Sequence, residues 1–198
     1  MKLSFGILCA VSITSQAWAQ FGGFGFWQTT VSEGFVSFSE EEKLTASDAA
    51  GADQFGLVLG IDGDTVIVSS YFDDDNGGQS GSAYIFTRSG STWSQQQKLT
   101  ASDAAGSDRF GEGVAVSGDT AVVGAPREDE NGSQSGSAYI FTRSGSTWTQ
   151  QQKLITSDGV GSDRFSESVA IDGDTVVGGA HLDDDDGTSS GSAYVFVQ

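Results

Sequence analysis

The sequence repeats itself with a period of 55 residues. Three copies follow one another, beginning at Lys43, Lys98 and Lys153, so that the repeats span residues 43–97, 98–152 and 153–198. A fixed period of this size is typical of one supersecondary unit repeated in tandem, in which no unit is large enough to bury its own apolar surface. The fold is therefore expected to arise from the packing of consecutive units on one another.

Each copy is predicted to form four short antiparallel strands. In the middle copy these are residues 113–116, 120–125, 136–142 and 147–154. Gly118-Asp119 joins the first two strands, and a glycine at the first central position favours a type II′ hairpin turn. The 3.6-residue spacing of an amphipathic helix does not occur in the copy. The unit is therefore expected to be a four-stranded antiparallel sheet.

The third predicted strand of each unit has apolar side chains on both faces. In the middle copy Ala138 and Ile140 alternate with Tyr139 and Phe141, and side chains alternate between the faces of a strand. A two-sheet sandwich would leave one side of each sheet polar, whereas sheets stacked around an axis cover both sides. We therefore expect an all-β, β-propeller-like fold of three tandem four-stranded antiparallel blades.

The middle copy also contains a recognisable pair of motifs, Phe110-Gly111 and Gly124-Ala125-Pro126. This copy resembles the FG-GAP repeat of integrin α-subunit propellers and of many secreted microbial proteins, and the resemblance covers residues 43–196. It implies a β-propeller fold and a role in adhesion. The flanking copies depart from the pattern, with Ser69-Ser70-Tyr71 in the first and with Phe165-Ser166 and Gly179-Ala180-His181 in the third.

Residues 36–44 carry the sequence of a fourth strand without a blade of their own. Residues 38–44 align with 93–99 and 148–154, while the third copy ends at Gln198 without its fourth strand. We expect this N-terminal strand to complete the last blade within the same chain, which would leave no exposed sheet edge. Propellers typically have roughly four to eight blades, so a six-bladed homodimer formed by strand exchange and a truncated gene product remain open alternatives.

Residues 1–19 have the features of a secretory signal peptide. Lys2 precedes an apolar run from Leu3 to Val11, and Ala17-Trp18-Ala19 precedes Gln20. The run is shorter than the roughly 20 residues that a transmembrane helix needs. We expect a secreted, extracellular or periplasmic protein with no membrane span, a flexible glycine-rich and aromatic leader over residues 20–34, and the repeat domain over residues 35–198. Cys9, the only cysteine, would be removed with the signal peptide, so no disulfide is expected.

The chain is strongly acidic, with a formal net charge of −18. A surface of this charge repels nucleic acids and anionic membranes, which excludes nucleic-acid binding from the expected functions. The expected partner is an extracellular protein or a glycan.

An acidic loop precedes the third strand of each copy. Clustered carboxylate and amide oxygens followed by glycine suit a calcium ion. The candidate ligands are Asp73, Asp75, Asn76, Asp129, Asn131, Asp183 and Asp185. The spacing matches neither the EF-hand nor the glycine-rich nonapeptide repeat, and the integrin-type calcium loop would lie between the first two strands, where this chain has only short turns. Solvated loops that keep the protein soluble are the alternative interpretation.

A second set of aspartates lies in the connections between the predicted blades. Aspartate bonds its own backbone in turns, so a structural role is favoured for these residues. Arg109 and Arg164 are expected to pair with these acids at the surface. The set comprises Asp48, Asp53, Asp103, Asp108, Asp158 and Asp163.

An enzymatic function is not expected. His181, the only histidine, occurs in one copy and no nucleophile or metal motif accompanies it. Carboxylates are abundant, but a glycosidase needs two in different environments, and a single active site would break the threefold repetition. We expect a non-catalytic module that presents acidic loops to a protein or glycan, with calcium assisting. The alternatives are a lectin-like polysaccharide-binding protein and a degenerate accessory domain of a secreted hydrolase.

Overall fold

The computed structural model describes residues 37–198, which form eleven β-strands and no helix. The predicted signal peptide and leader lie outside the described residues. No helix able to cross a membrane occurs in residues 37–198. The strands are β1 (Leu59–Asp62), β2 (Thr65–Ser70), β3 (Ser82–Ser89), β4 (Thr92–Leu99), β5 (Gly113–Ser117), β6 (Thr120–Ala125), β7 (Ser137–Ser144), β8 (Thr147–Leu154), β9 (Ser168–Asp172), β10 (Thr175–Ala180) and β11 (Ser192–Val197).

The strands form three successive antiparallel sheets, one for each repeat. β1–β4 and β5–β8 are four-stranded meanders, and β9–β11 form a three-stranded meander. Between β5 and β6, Gly118 has a φ of +56° while Asp119 has a negative φ, as a type II′ turn requires. The prediction of an all-β fold built from antiparallel, blade-like sheets is confirmed. We call the three sheets blade 1, blade 2 and blade 3.

Both faces of blade 2 are buried. Val122 and Val123 are neighbours on β6, so their side chains point to opposite faces, and both are 0% exposed. Val123 belongs to a cluster that includes Ile85 of blade 1, and Val122 belongs to a cluster that includes Phe165 and Val176 of the third repeat. The middle sheet is therefore covered by a neighbour on each side, which a two-sheet sandwich does not provide.

The two sequence motifs of the middle copy lie side by side at the contact between blades. The amide of Gly111 donates to the carbonyl of Gly124 over 2.8 Å. A Cβ at Gly124 would overlap the backbone carbonyl oxygen of Ser166 from the third repeat. Glycine is therefore required at position 124 because the backbone of the next repeat passes directly over it.

Outer strands of consecutive blades are joined through side chains. β3 and β4 pair with an irregularity between Ile85 and Phe86, which leaves Gln96 outside the regular register. The indole Nε1 of Trp148 donates to Gln96 over 2.8 Å, and the amide of Trp148 donates to Gln97 over 2.7 Å. Trp148 is 3% exposed, so its indole packs between the blades.

The prediction that residues 36–44 complete the last blade within the chain is wrong for the described part of this segment. No strand occurs in residues 37–58. The amide of Trp93 donates to the Glu42 carboxylate over 2.8 Å, and the amide of Ser47 donates to Gln95 over 2.9 Å. The segment is therefore bonded to β4 of blade 1 instead of β11 of blade 3.

A physical reason for this placement lies in the repeat. Glu42 bonds Trp93 in the way that Gln97 bonds Trp148 one repeat later. Residues 39–47 thus take the place that the outer strand of a blade preceding blade 1 would take. Because β1 packs on β5 and β5 packs on β9, blade 3 lies at the other end of the row.

Candidate binding site in the acidic loops

The acidic loops all lie at the same end of the blades. Each loop joins the second and third strands of its blade, and in a meander that end also receives the segment connecting one blade to the next. We call this end of the blades the acidic rim. It consists of the acidic loops, residues 73–80, 128–135 and 183–190, and the connecting segments, residues 46–55, 101–110 and 156–165.

Backbone hydrogen bonds join each acidic loop to the connecting segment of the following repeat. Three bonds recur at both junctions, and we call them the junction ladder. At the first junction Ser107, Arg109 and Phe110 donate to Gly78, Gln79 and Ser80 over 2.8, 3.2 and 2.9 Å. At the second junction Ser162, Arg164 and Phe165 donate to Ser133, Gln134 and Ser135 over 2.8, 3.1 and 2.9 Å. The ladder fixes the acidic loops relative to the blades.

Some of the loop acids close their own loops. The Asp74 carboxylate accepts the amide of Gln79 over 2.6 Å, and the Asp129 carboxylate accepts the amide of Gln134 over 2.7 Å. Such bonds are the usual role of aspartate in turns. Asp74 and Asp129 remain exposed to solvent, so these loops present carboxylates at fixed positions.

Three other carboxylates of blade 1 surround a lysine ammonium. Lys98 Nζ lies 2.8 Å from Asp48, 2.8 Å from Asp73 and 2.6 Å from Asp75. It also lies 5.4 Å from the ring centre of Tyr84, whose hydroxyl donates to Asp73 over 3.1 Å. We call Asp48, Asp73, Asp75 and Lys98 the first lysine cluster.

In the first lysine cluster the lysine and the carboxylates each favour the charged state of the other. Burial alone would raise the pKa of Asp73, but the hydrogen bonds from Lys98 and from the amide of Asp75 outweigh it and lower the pKa below 3.8. Burial alone would lower the pKa of Lys98, but the three carboxylates outweigh it and raise the pKa above 10.5. The buried Asp73 carboxylate is therefore charged at neutral pH because Lys98 neutralises it.

Blade 2 repeats the arrangement with glutamates. Lys153 Nζ lies 2.8 Å from Asp103, 3.1 Å from Glu128 and 3.0 Å from Glu130. Asp129, a predicted metal ligand, bonds the amide of Gln134 and takes no part in this second lysine cluster.

In blade 3 the corresponding acids have no lysine among residues 37–198. Asp183 accepts the hydroxyl of Tyr194 over 2.7 Å and the amide of Asp185 over 3.2 Å. The negative charge of Asp183 raises the pKa of Asp185, and Asp158 adds to this effect. The Tyr194 hydroxyl lies near Asp158 as well as Asp183, and burial raises its pKa. We call Asp158, Asp183 and Asp185 the third acid cluster.

The predicted metal ligands are thus only partly brought together. Asp73 and Asp75 meet at Lys98, whereas Asp185 directs its main-chain amide to the Asp183 carboxylate. Asn76 and Asn131 direct their main-chain amides to Ser80 and Ser135. The acids of blades 1 and 2 lie close enough for one cation, and the lysine ammonium already lies among them, so they do not fit an additional calcium ion. Calcium binding itself stays a prediction.

Sequence reasoning missed the two lysines of these clusters. The available signal was their spacing, because Lys98 and Lys153 recur at the repeat period together with Asp48 and Asp103, fifty residues before each of them. Residue type alone did not reveal that these lysines pair with the loop carboxylates. The pairing arises because the fourth strand of blade 1 and that of blade 2 each end beside the acidic loop.

The second set of aspartates divides into two roles. Asp53, Asp108 and Asp163 accept the amides of Ala50, Ala105 and Val160 over 2.8, 2.8 and 2.7 Å, which confirms that they form turns. Asp48 and Asp103 instead belong to the lysine clusters, and Asp158 belongs to the third acid cluster.

The expected pairing of Arg109 and Arg164 with these aspartates is wrong. Arg109 lies 3.4 Å from Glu112 and its guanidinium lies 4.8 Å from the ring centre of Phe72. Arg164 donates to Gln134 over 3.4 Å. Both residues have a left-handed backbone conformation, with φ of +57° and +54°.

Arginine side chains therefore gather beside the acidic loops. Burial, followed by the neighbouring charges of Arg109 and Arg164, lowers the pKa of Arg127. His181 Nδ1 lies 3.2 Å from Glu167 nearby. The rim thus combines exposed carboxylates on the loops with partly buried guanidinium groups at the junctions.

Comparison with protein families gives one match, which covers most of the chain. The family described as FG-GAP repeat matches residues 38–86, 93–141 and 148–196. Each of the last two matched stretches begins in the outer strand of one blade and ends in the third strand of the next. No match was found among the curated proteins that were compared with the chain.

Proposed function

Because the chain belongs to the FG-GAP repeat family, we propose that it is a non-catalytic binding module whose acidic rim contacts an extracellular protein or glycan. One observation carries this proposal. Exposed carboxylates recur at the same place in each repeat, at Asp74, Asp129 and Asp184. Loops that carry binding residues are commonly positioned by a rigid scaffold, and the junction ladder provides such positioning at both junctions.

The net charge of the chain restricts the kinds of partner that the rim can bind. A net charge of −18 creates a negative potential that attracts cations and repels polyanions. The proposed partner is therefore a basic protein surface or a neutral glycan. The guanidinium groups of Arg109 and Arg164 at the junctions would donate hydrogen bonds to carbonyl or hydroxyl oxygens of that partner.

The proposal that the module is non-catalytic is supported by the site chemistry. His181, the only imidazole, is paired with Glu167, and the rim acids are distributed over three similar repeats. Repeated similar groups suit contact with an extended partner more than chemistry at one bond.

Action outside the cell is part of the same proposal. It is supported by the signal-like sequence of residues 1–19. Secretion is expected to yield a protein that begins at Gln20, which N-terminal sequencing of the extracellular fraction detects. A cell-retained chain that still begins at Met1 would contradict this proposal.

The binding proposal is tested by removing rim charge without removing loop structure. The triple variant Asp74→Asn, Asp129→Asn and Asp184→Asn keeps a side-chain oxygen that can accept the loop amides, so the loops are expected to fold. Affinity for partners found on a glycan array and on a panel of purified extracellular proteins is expected to fall on the order of tenfold, with a weaker salt dependence.

The matched control neutralises three acids at the opposite end of the blades. Asp64, Asp119 and Asp174 lie in the turns between the first two strands, so Asp→Asn at these positions changes the net charge equally. This control is expected to keep its affinity within about twofold. Equal losses in both triple variants, or no partner in either panel, would contradict a binding role for the rim.

The same titrations test the proposed assistance by calcium. Extracellular calcium sites bind with dissociation constants of about 0.1 to 1 mM. Calcium at about 10 mM is expected to raise partner affinity and melting temperature. Unchanged values for the unmodified protein would exclude calcium.

A further inference from the structure

Within residues 37–198 the outer edge of blade 3 carries no fourth strand. In blades 1 and 2 the third strand pairs with a fourth strand, but among the described residues β11 pairs only with β10. A groove of about 670 Å³ lies beside β11, lined by residues that include Leu154, Val195 and Val197. Val195 is 63% exposed, whereas its equivalent in blade 1, Ile85, is 0% exposed. An exposed apolar edge of this kind is a template for pairing with another strand.

The opposite end of the row exposes a complementary surface. At the contact between blades 1 and 2, Ile85 packs in one buried cluster with Val114 and Val116. The equivalents of Val114 and Val116 in blade 1 are Leu59 and Ile61, which are 63% and 68% exposed. Blade 1 and blade 3 therefore expose two surfaces whose equivalents are buried against each other at the contact between blades 1 and 2.

The third acid cluster supplies a second, independent observation. Its two counterparts each enclose a lysine from the fourth strand of their blade, Lys98 in β4 and Lys153 in β8. The residue at the same position of the repeat for blade 3 is Lys43. Lys43 is exposed and makes no ion pair with residues 37–198. Among the described residues, acids without a lysine and a lysine without acids thus lie at opposite ends of one row.

We propose that two copies of the chain close a six-bladed ring in which residues 39–44 of each copy form the fourth strand of blade 3 of the other copy. The strand register follows from β7 and β8, where Ala138 pairs with Leu154 and Tyr139 with Lys153. Leu44 then lies opposite Ala193, and Lys43 lies opposite Tyr194 and enters the third acid cluster. Leu59 and Ile61 of one copy cover Val195 of the other.

A second copy explains the surfaces better than closure within one chain does. Residues 39–47 are already bonded to β4 at the far end of the row from β11, and they can keep these bonds while pairing with β11 of another molecule. A ring of six blades lies within the range of roughly four to eight blades that propellers typically have. Head-to-tail contacts that close after two copies give a ring with twofold symmetry.

The mass of the full chain in solution, measured by light scattering at micromolar concentration, tests the proposal. The expected mass is twice that of one chain. Ile61→Ser is expected to weaken the dimer at least about tenfold, because it removes an apolar side chain from the interface. Val160→Ser is the matched control, since Val160 is 50% exposed in a connecting segment away from both ends of the row, and it is expected to leave the mass unchanged.

A charge exchange tests the strand register. Lys43→Glu is expected to weaken the dimer at least about tenfold, and adding Asp185→Lys in the same chain is expected to restore it. A mass of one chain for the unmodified protein, a series of longer oligomers, or a dimer that is insensitive to both Ile61→Ser and Lys43→Glu would overturn the proposal. A monomer that Lys43→Glu destabilises would likewise overturn it in favour of closure within one chain.

Discussion

Gly136→Ala is expected to lower the free energy of unfolding by about 2–5 kcal/mol. Gly136 has a φ of +86°, and a Cβ there would overlap the backbone of Phe165 in the next repeat. A non-glycine residue in the left-handed region costs about 1–2 kcal/mol, and forcing extra volume into a packed contact adds about 1–3 kcal/mol. The contact cannot relax cheaply because the amide of Phe165 belongs to the junction ladder.

The chain contains a matched control for this substitution. Gly145 has a φ of +63°, but nothing lies within 4 Å of a Cβ built on it. Gly145→Ala is therefore expected to cost only the conformational term of about 1–2 kcal/mol. Urea unfolding of both variants measures the difference. Equal losses would show that the backbone of the next repeat does not pass as closely over Gly136 as the structure has it.

Lys98→Met is expected to lower the free energy of unfolding by about 3 kcal/mol at neutral pH. Methionine keeps the apolar stem of the side chain, but the Asp73 side chain, only 4% exposed, loses its ammonium partner. Removing one member of a buried ion pair costs about 3–5 kcal/mol, and the 19% exposure of Lys98 places the expected value at the lower end. The midpoint of urea unfolding measures this loss.

Asp75→Asn is the control in the same cluster. The Asp75 side chain is 64% exposed although it lies 2.6 Å from Lys98, so its loss is expected to cost less than about 1 kcal/mol.

The effect of Lys98→Met is also expected to depend on pH. Because the pKa of Asp73 in the folded protein lies below 3.8, its ionisation stabilises the fold above that pH, and this contribution is lost as the pH falls through the lowered pKa. The two proteins should therefore converge in acid. A constant difference down to strongly acidic pH, or an equal loss from Asp75→Asn, would contradict the account of the cluster.

The fold could be predicted because the sequence features that specify it are local and recur along the chain. The Gly118-Asp119 turn, the alternation of Ala138 to Phe141 and the FG and GAP motifs each specify geometry within a few residues. Repetition then required each sheet to pack on its copies, and the burial of both Val122 and Val123 agrees with that requirement.

The prediction for the N-terminal segment was wrong because this segment could bond to either of two distant blades. Residues 38–44 have the sequence of a fourth strand, but the sequence does not say which blade receives them. In the structure their side chains bond β4, because Glu42 can replace Gln97 as the acceptor for the next outer strand. Arg109 and Arg164 were misassigned because the adjacent acids, Asp108 and Asp163, accept main-chain amides of their own turns instead.

The candidate site was predicted in part. The acidic loops were located correctly, but the sequence of an acidic run does not show whether its carboxylates bind calcium, pair with lysine or are hydrated. Lys98 lies more than twenty residues after Asp73 and Asp75 in the chain, and only the pairing of β3 with β4 brings them together.

Hydrogen exchange of the junction-ladder amides tests the central claim most directly, namely that the acidic loops and the blades form one cooperative body. The amides of Phe110 and Phe165 are expected to exchange with the same opening free energy as strand amides such as that of Val123, because their bonds to Ser80 and Ser135 break only when the blades separate. Rapid exchange of Phe110 and Phe165 while Val123 stays protected would contradict this account, since the acidic loops would then move independently of the blades that are proposed to position them.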